Sequence, residues 1–127
     1  MDRESAKKSV LIVDDDLPSL NVLVSSLLWE GYRVLTAQSG TAALDILNLE
    51  KPGLVLLDIM MPDMDGMETL ERIKALEPEI PVAMVTGISD PEEAKRALEA
   101  GAYEYITKPI DINYLKLAVL LKLLPDE

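Results

Sequence analysis

The chain contains neither cysteine nor histidine. Without cysteine there are no disulfides and no thiolate metal sites. Without histidine, the usual general base, the commonest transition-metal ligand and any Ser-His-Asp triad are excluded together. Phosphohistidine chemistry within the chain is excluded as well. No apolar run reaches the length of about 18 residues that a membrane-spanning helix needs. The opening MDRESAKKS passes directly into the first apolar stretch and lacks the apolar core of a signal peptide. The expected location is therefore cytoplasmic, with no membrane partner. Positive charge is also scarce: 12 Lys and Arg face 23 Asp and Glu, a net charge of −11. Nucleic-acid binding needs a basic face, so no direct nucleic-acid contact is expected of this domain. Most of the acid excess serves solubility. The remainder is available to hold a hard cation.

What is present is a core. The 127 residues are 49% hydrophobic, enough for one packed domain. We expect a single domain over residues 1–127, with 1–8 as a flexible tail. SVLIV, from Ser9, reads as a strand. Leu20, Leu23, Val24, Leu27 and Leu28 repeat at helical spacing up to Gly31, a helix-stop signal. YRVLTA, LVLL, PVAMV and YEYIT read as further strands. Between them, Ser39 is expected to cap a helix running to about Asn48. Met67, Leu70, Ile73 and Leu76 mark a helix that stops before Pro78. Asp90, Pro91 and Glu93 form a capping-box pattern, for a helix ending near Gly101. Asp111 caps the last helix. Strand–helix alternation repeated five times predicts a doubly wound parallel sheet. In the flavodoxin-like version the strand order is 2-1-3-4-5.

The residues that follow each strand carry the chemistry. Asp14, Asp15 and Asp16 follow the first strand, and Asp58 follows the third. Thr86 ends the fourth, and Lys108 and Pro109 end the fifth. In an open parallel sheet these ends share one edge, and ligands bind where strand order reverses. Clustered carboxylates repel one another unless a cation sits among them. A hard divalent ion with oxygen ligands suits them, and Mg²⁺ takes carboxylates, waters and phosphate oxygens. Lys108 adds a positive charge and Thr86 a hydroxyl. Together they form an environment that stabilises a phosphoryl group, with Asp58 as the nucleophile.

With those motifs in view, the sequence resembles the receiver domain of bacterial two-component response regulators, the CheY-like family. VLIVDDD, LVLLDIMMPDMDG, VTG and YITKP match in order and spacing over nearly the whole chain. The resemblance implies that Asp58 is the phosphoacceptor. It implies that Asp14, Asp15, Asp58 and the Met60 backbone carbonyl hold Mg²⁺, or Mn²⁺ in its place. Thr86 and Lys108 would meet the phosphoryl group, and Tyr105 would turn inward when Thr86 moves. The Lys108–Pro109 bond would be cis. The donor would be a sensor histidine kinase or a histidine phosphotransfer protein. The chain would catalyse its own phosphorylation and slow dephosphorylation. Gly87 stands where the family often has alanine. Met60 and Ile88 stand where fast-dephosphorylating members carry polar groups, which implies a long-lived phosphoryl state.

Other classes fit less well. Asp63-Met64-Asp65-Gly66 is similar to the DxDG of haloacid-dehalogenase-type phosphatases, but Met60, Met61 and Pro62 separate it from the strand. An EF-hand reading puts Met61 and Arg72 at its first and last ligand positions, where it fails. In that loop Asp63 or Asp65 is expected to cap the next helix. A flavodoxin-like nucleotide binder would want amides and hydroxyls after the first strand. The remaining alternative is a non-phosphorylated pseudo-receiver acting as an interaction module.

The last helix carries two apolar stripes. Ile112, Leu115 and Val119 form one, and Leu117, Leu120, Leu121 and Leu124 form the other. One sheet face cannot bury both, so part of the second is expected at the surface. The resemblance implies a homodimer through helix 4, strand 5 and helix 5. It also places kinase docking around helix 1, at Leu17, Leu20 and Trp29. Trp29 is expected to pack along the edge of that helix.

Overall fold

The computed structural model describes residues 8–61 and 63–124. Pro62 and all but the last residue of the expected tail 1–8 lie outside them. Five strands alternate with five helices: β1 Ser9–Val13, α1 Leu17–Trp29, β2 Arg33–Ala37, α2 Gly40–Leu49 and β3 Leu54–Leu57. Then come α3 Gly66–Leu76, β4 Val82–Thr86, α4 Pro91–Glu99, β5 Glu104–Thr107 and α5 Ile112–Lys122. All strand pairs are parallel, in the order β2-β1-β3-β4-β5. The expected fold is the observed one. β1 and β3 have the expected limits, and the limits of β2, β4 and β5 differ by one residue, as helix and strand limits commonly do.

The sheet divides the core in two. Leu11, Val13, Leu57 and Met84 pack with α2, α3 and α4 through Leu47, Leu70, Ile73 and Ala97. Val10, Ile12, Leu56 and Val85 pack with α1 and α5 through Leu23, Leu27, Leu115 and Val119. β1, β3 and β4 are covered on both faces, so they are apolar without alternation. Each fully buried leucine contributes about 2 kcal/mol.

Every helix is opened by a side-chain cap. Asp16, Ser39, Asp65, Asp90 and Asp111 accept from backbone amides in the first turn of α1 to α5, each satisfying an amide that has no partner within its helix. Of the two aspartates weighed for the third helix, Asp65 is the cap. Asp63 instead accepts from Gly40 and Thr41 amides at 3.3 Å each, tying the β3–α3 loop to α2. The expected capping box at α4 is half-formed. Asp90 accepts from the Glu92 amide, but Glu93 turns to Arg96, and its Oε1 is buried without a partner.

Helix phase corrects two surface expectations. Leu20 is 5% exposed and belongs to the core, whereas Leu17 is 52% exposed. Trp29 does not pack along the helix edge; it is 85% exposed. On α5 the buried stripe is Leu115, Val119 and Leu123 with Ile112 half-buried, while Leu117, Leu120, Leu121 and Leu124 face outward as expected. Among the described residues, no helix is long and apolar enough to cross a membrane.

Candidate functional site

The site begins where the sheet stops. Val13 of β1 lies beside Leu57 of β3, so the next residues, Asp14 and Asp58, leave the sheet side by side. Their main chains still belong to the ladder. The Asp14 amide donates to the Ala37 carbonyl and the Asp58 amide to the Val13 carbonyl, each at 3.0 Å. Beyond β5, the Lys108 amide donates to the Thr86 carbonyl at 2.8 Å, and the Lys108–Pro109 bond is cis. Gly66, at the start of α3, donates to the Ile59 carbonyl at 2.6 Å. A Cβ there would collide with the Asp58 carbonyl and Ile59 Cα. Only glycine lets α3 start this close beneath Asp58.

Asp14 and Asp58 are 1% and 6% exposed, while Asp15 is at the surface. One oxygen from each of the three lies within 4.8 Å of the others. Lys108 Nζ bridges the buried pair, 2.7 Å from Asp14 Oδ2 and 3.3 Å from Asp58 Oδ2. The other Asp14 oxygen accepts from the Asp16 amide at 2.9 Å. The other Asp58 oxygen accepts from the Met60 amide at 3.4 Å.

Burial pushes the Asp14 carboxyl above its ordinary range, with the Asp58 charge adding, against the pull of Lys108 and the Asp16 amide. For Lys108, burial alone would lower the pKa. Hydrogen bonding to Asp14 and the charges of Asp58 and Asp14 outweigh it, so the net direction is upward and the ammonium stays charged. One ammonium among three carboxylates leaves the cluster negative. The donor set is all oxygen, which fits a hard divalent cation.

Thr86, at the end of β4, and Tyr105, on β5, are joined through Ile88. The buried Thr86 hydroxyl accepts from the Ile88 amide at 3.3 Å. The Tyr105 hydroxyl donates to the Ile88 carbonyl at 2.8 Å. The link was not legible from the sequence, because Ile88 acts through its main chain. Gly87 has open space where a Cβ would go, so alanine would fit. Met60 is 64% exposed, and Ile88 is half-buried.

Comparison with known proteins places this geometry. The family model "Response regulator receiver domain" matches residues 10–120. The transcriptional regulatory protein ZraR of Klebsiella oxytoca is 42% identical over 110 residues, 87% of this chain and 25% of that protein. The probable transcriptional regulator ycf27 of Cyanophora paradoxa is 39% identical over 113 residues, 89% of this chain and 47% of that protein. The chain thus spans about a quarter of the length of the ZraR relatives. Among solved structures, a CheY-like receiver domain protein from Methanospirillum hungatei superposes with a TM-score of 0.89 at 38% identity. That alignment covers 93% of this chain and 94% of the other. The receiver domain of NtrX from Brucella abortus gives 0.86 at 35%, covering 90% and 97%. With the motifs, the strand order and the acidic pocket in agreement, the chain belongs to the receiver-domain family of two-component response regulators.

Proposed function

We propose that this chain is a phosphorylation switch in which Asp58 accepts a phosphoryl group from a phosphohistidine. The donor is a sensor histidine kinase or a histidine phosphotransfer protein. The observation that carries the reading is the Lys108 ammonium set between Asp14 and Asp58 at 2.7 and 3.3 Å. An isolated surface aspartate has no such partner. Asp14, Asp15, Asp58 and the Met60 carbonyl would hold Mg²⁺, or Mn²⁺, which supplies charge neutralisation for the phosphoryl oxygens.

The chain's own residues do the rest. An Asp58 carboxylate oxygen attacks phosphorus. The O–P bond forms as the P–N bond to the donor imidazole breaks, and the nitrogen keeps the bonding pair. Lys108 exchanges its Asp58 contact for a phosphoryl oxygen. Thr86 gives up the Ile88 amide and turns its hydroxyl to the phosphoryl group. Tyr105, held to the Ile88 carbonyl, moves with that loop. The outward leucines of α5 suit a second copy meeting α4, β5 and α5 as the output contact. Ile88 would shield the acyl phosphate more than exposed Met60, so Ile88→Glu is expected to speed its loss.

The test is incubation with Mg²⁺ and acetyl phosphate, read by intact mass, beside Asp58→Asn. One added phosphoryl group, blocked by EDTA and absent in the variant, supports the switch. No addition from acetyl phosphate or a phosphorylated histidine donor, with no Mg²⁺ binding, overturns it in favour of a pseudo-receiver.

A further inference from the structure

The opposite edge of the sheet carries a second concentration of charge, of the other sign. Lys8 precedes β1, Gly53 precedes β3, Pro81 precedes β4, and Gly101 and Tyr103 precede β5. With Lys74 from the last turn of α3 and Lys122 and Leu124 at the end of α5, they line one pocket of about 470 Å³. Among the described residues, Glu79 is its one acidic lining residue. Lys8 and Asp14 sit at the two ends of β1, roughly 20 Å apart along an extended strand. The pocket is therefore separate from the Asp58 site.

The chain has a net charge of −11, and six of its ten described cations find a carboxylate. Arg33, Lys51, Arg72, Arg96, Lys108 and Lys116 all do. Among the described residues, Lys8, Lys74, Lys95 and Lys122 do not, and three of these four line this pocket. Lys74 donates to the Pro78 and Ile80 carbonyls at 2.8 and 2.9 Å, which orients its ammonium and leaves one proton unspent. Lys122 lies over the Tyr103 ring, 4.4 Å from its centroid. Lys8 has no polar partner among the described residues.

The backbone is shaped around these side chains. Gly101 has φ +113, and a Cβ there would press on the Lys74 stem at 3.1 Å. A Cβ on Gly53 would lie 3.3 Å from Lys8 Cβ. Burial lowers the Lys74 pKa, and the Lys122 charge lowers it further. An anion among the lysines would relieve that repulsion.

We propose that this pocket, between the N-terminal strand ends and the ends of α3 and α5, binds a small multiply charged oxyanion of the phosphate or diphosphate class through Lys8, Lys74 and Lys122. The pocket has room for such a ligand. The lysines hold it by charge and ammonium hydrogen bonds. Glu79, exposed at the rim, opposes it.

The test is a Mg²⁺-free titration of the ¹⁵N-labelled protein with sodium diphosphate at constant ionic strength, followed by amide shifts, with sodium chloride as the control. Saturable shifts at Lys8, Gly53, Gly101 and Lys122, without matching shifts at Asp14, Asp58 or Lys108, are expected. Lys8→Gln and Lys122→Gln, both at exposed positions, should each weaken binding by about threefold to fivefold. Glu79→Gln should strengthen it. Shifts that follow chloride, that centre on Lys108, or that survive removal of both exposed lysines would overturn the proposal.

Discussion

One sheet presents two edges of opposite design. At the C-terminal edge three carboxylates, Asp14, Asp15 and Asp58, cluster, and one ammonium, Lys108, bridges Asp14 and Asp58. At the N-terminal edge, among the described residues, three ammonium groups, Lys8, Lys74 and Lys122, accompany one carboxylate, Glu79. The first set is held by the ladder itself, and Asp14 and Asp58 are buried. The second is built from long side chains at loops and helix ends. The difference is in rigidity as much as in charge. A buried, main-chain-anchored cluster is poised for group transfer, because its geometry is set before a substrate arrives. A rim of lysines can attract and hold an anion, but it does not fix reacting atoms.

The largest effect should separate the edges directly. Lys108→Met leaves two buried carboxylates without their cation and should cost about 3 kcal/mol in urea unfolding without Mg²⁺. Lys122→Met should stay within about 0.5 kcal/mol. Similar costs at both would break the comparison.

Alkali probes the N-terminal edge next. Tyr103 is pushed up to about 12, by burial first and then by Glu104 and Tyr114. A raised folded pKa means the fold favours the neutral phenol. That contribution is complete below the unfolded pKa near 10 and is lost as pH rises toward 12. Discounted for solvent screening at this half-buried phenol, it is about 1 to 2 kcal/mol. Urea unfolding at pH 9 and above pH 11 should show the loss, and Tyr103→Phe should reduce it. Tyr105, also raised chiefly by burial, leaves a remainder.

Tyr105→Phe removes the hydrogen bond to the Ile88 carbonyl and should cost about 1 kcal/mol. It should also weaken the coupling between phosphorylation and the β4–α4 loop, read by amide shifts at Ile88. The smallest effect lies in mild acid. Asp63 is held below the usual carboxylate range, first by its side-chain hydrogen bond with Thr41. Its contribution is present above the ordinary carboxylate pKa and is lost as pH falls through the folded value. Asp63→Asn should flatten the acid limb of the stability profile.

The fold was legible because β1, β3 and β4 are apolar runs buried on both faces and the helix starts carry Asp or Ser. The acidic edge was legible for the same reason: a polar residue at the end of each run must come out at one edge. What stayed hidden depends on phase or on main chain. Leu17 and Leu20 differ by under one helical turn, yet one faces solvent and the other the core. Asp63 reaches a different helix from the one it precedes. Ile88 links Thr86 to Tyr105 through backbone atoms. The basic pocket draws on residues from Lys8 to Leu124, so no local motif announces it.

The direct measurement is to phosphorylate the protein, reduce it with borohydride, and locate the product by peptide mass spectrometry. Reduction converts an aspartyl phosphate to homoserine. Homoserine at position 58 alone is the predicted result. Homoserine at position 14 or 15, or none after confirmed phosphorylation, would contradict Asp58 as the acceptor.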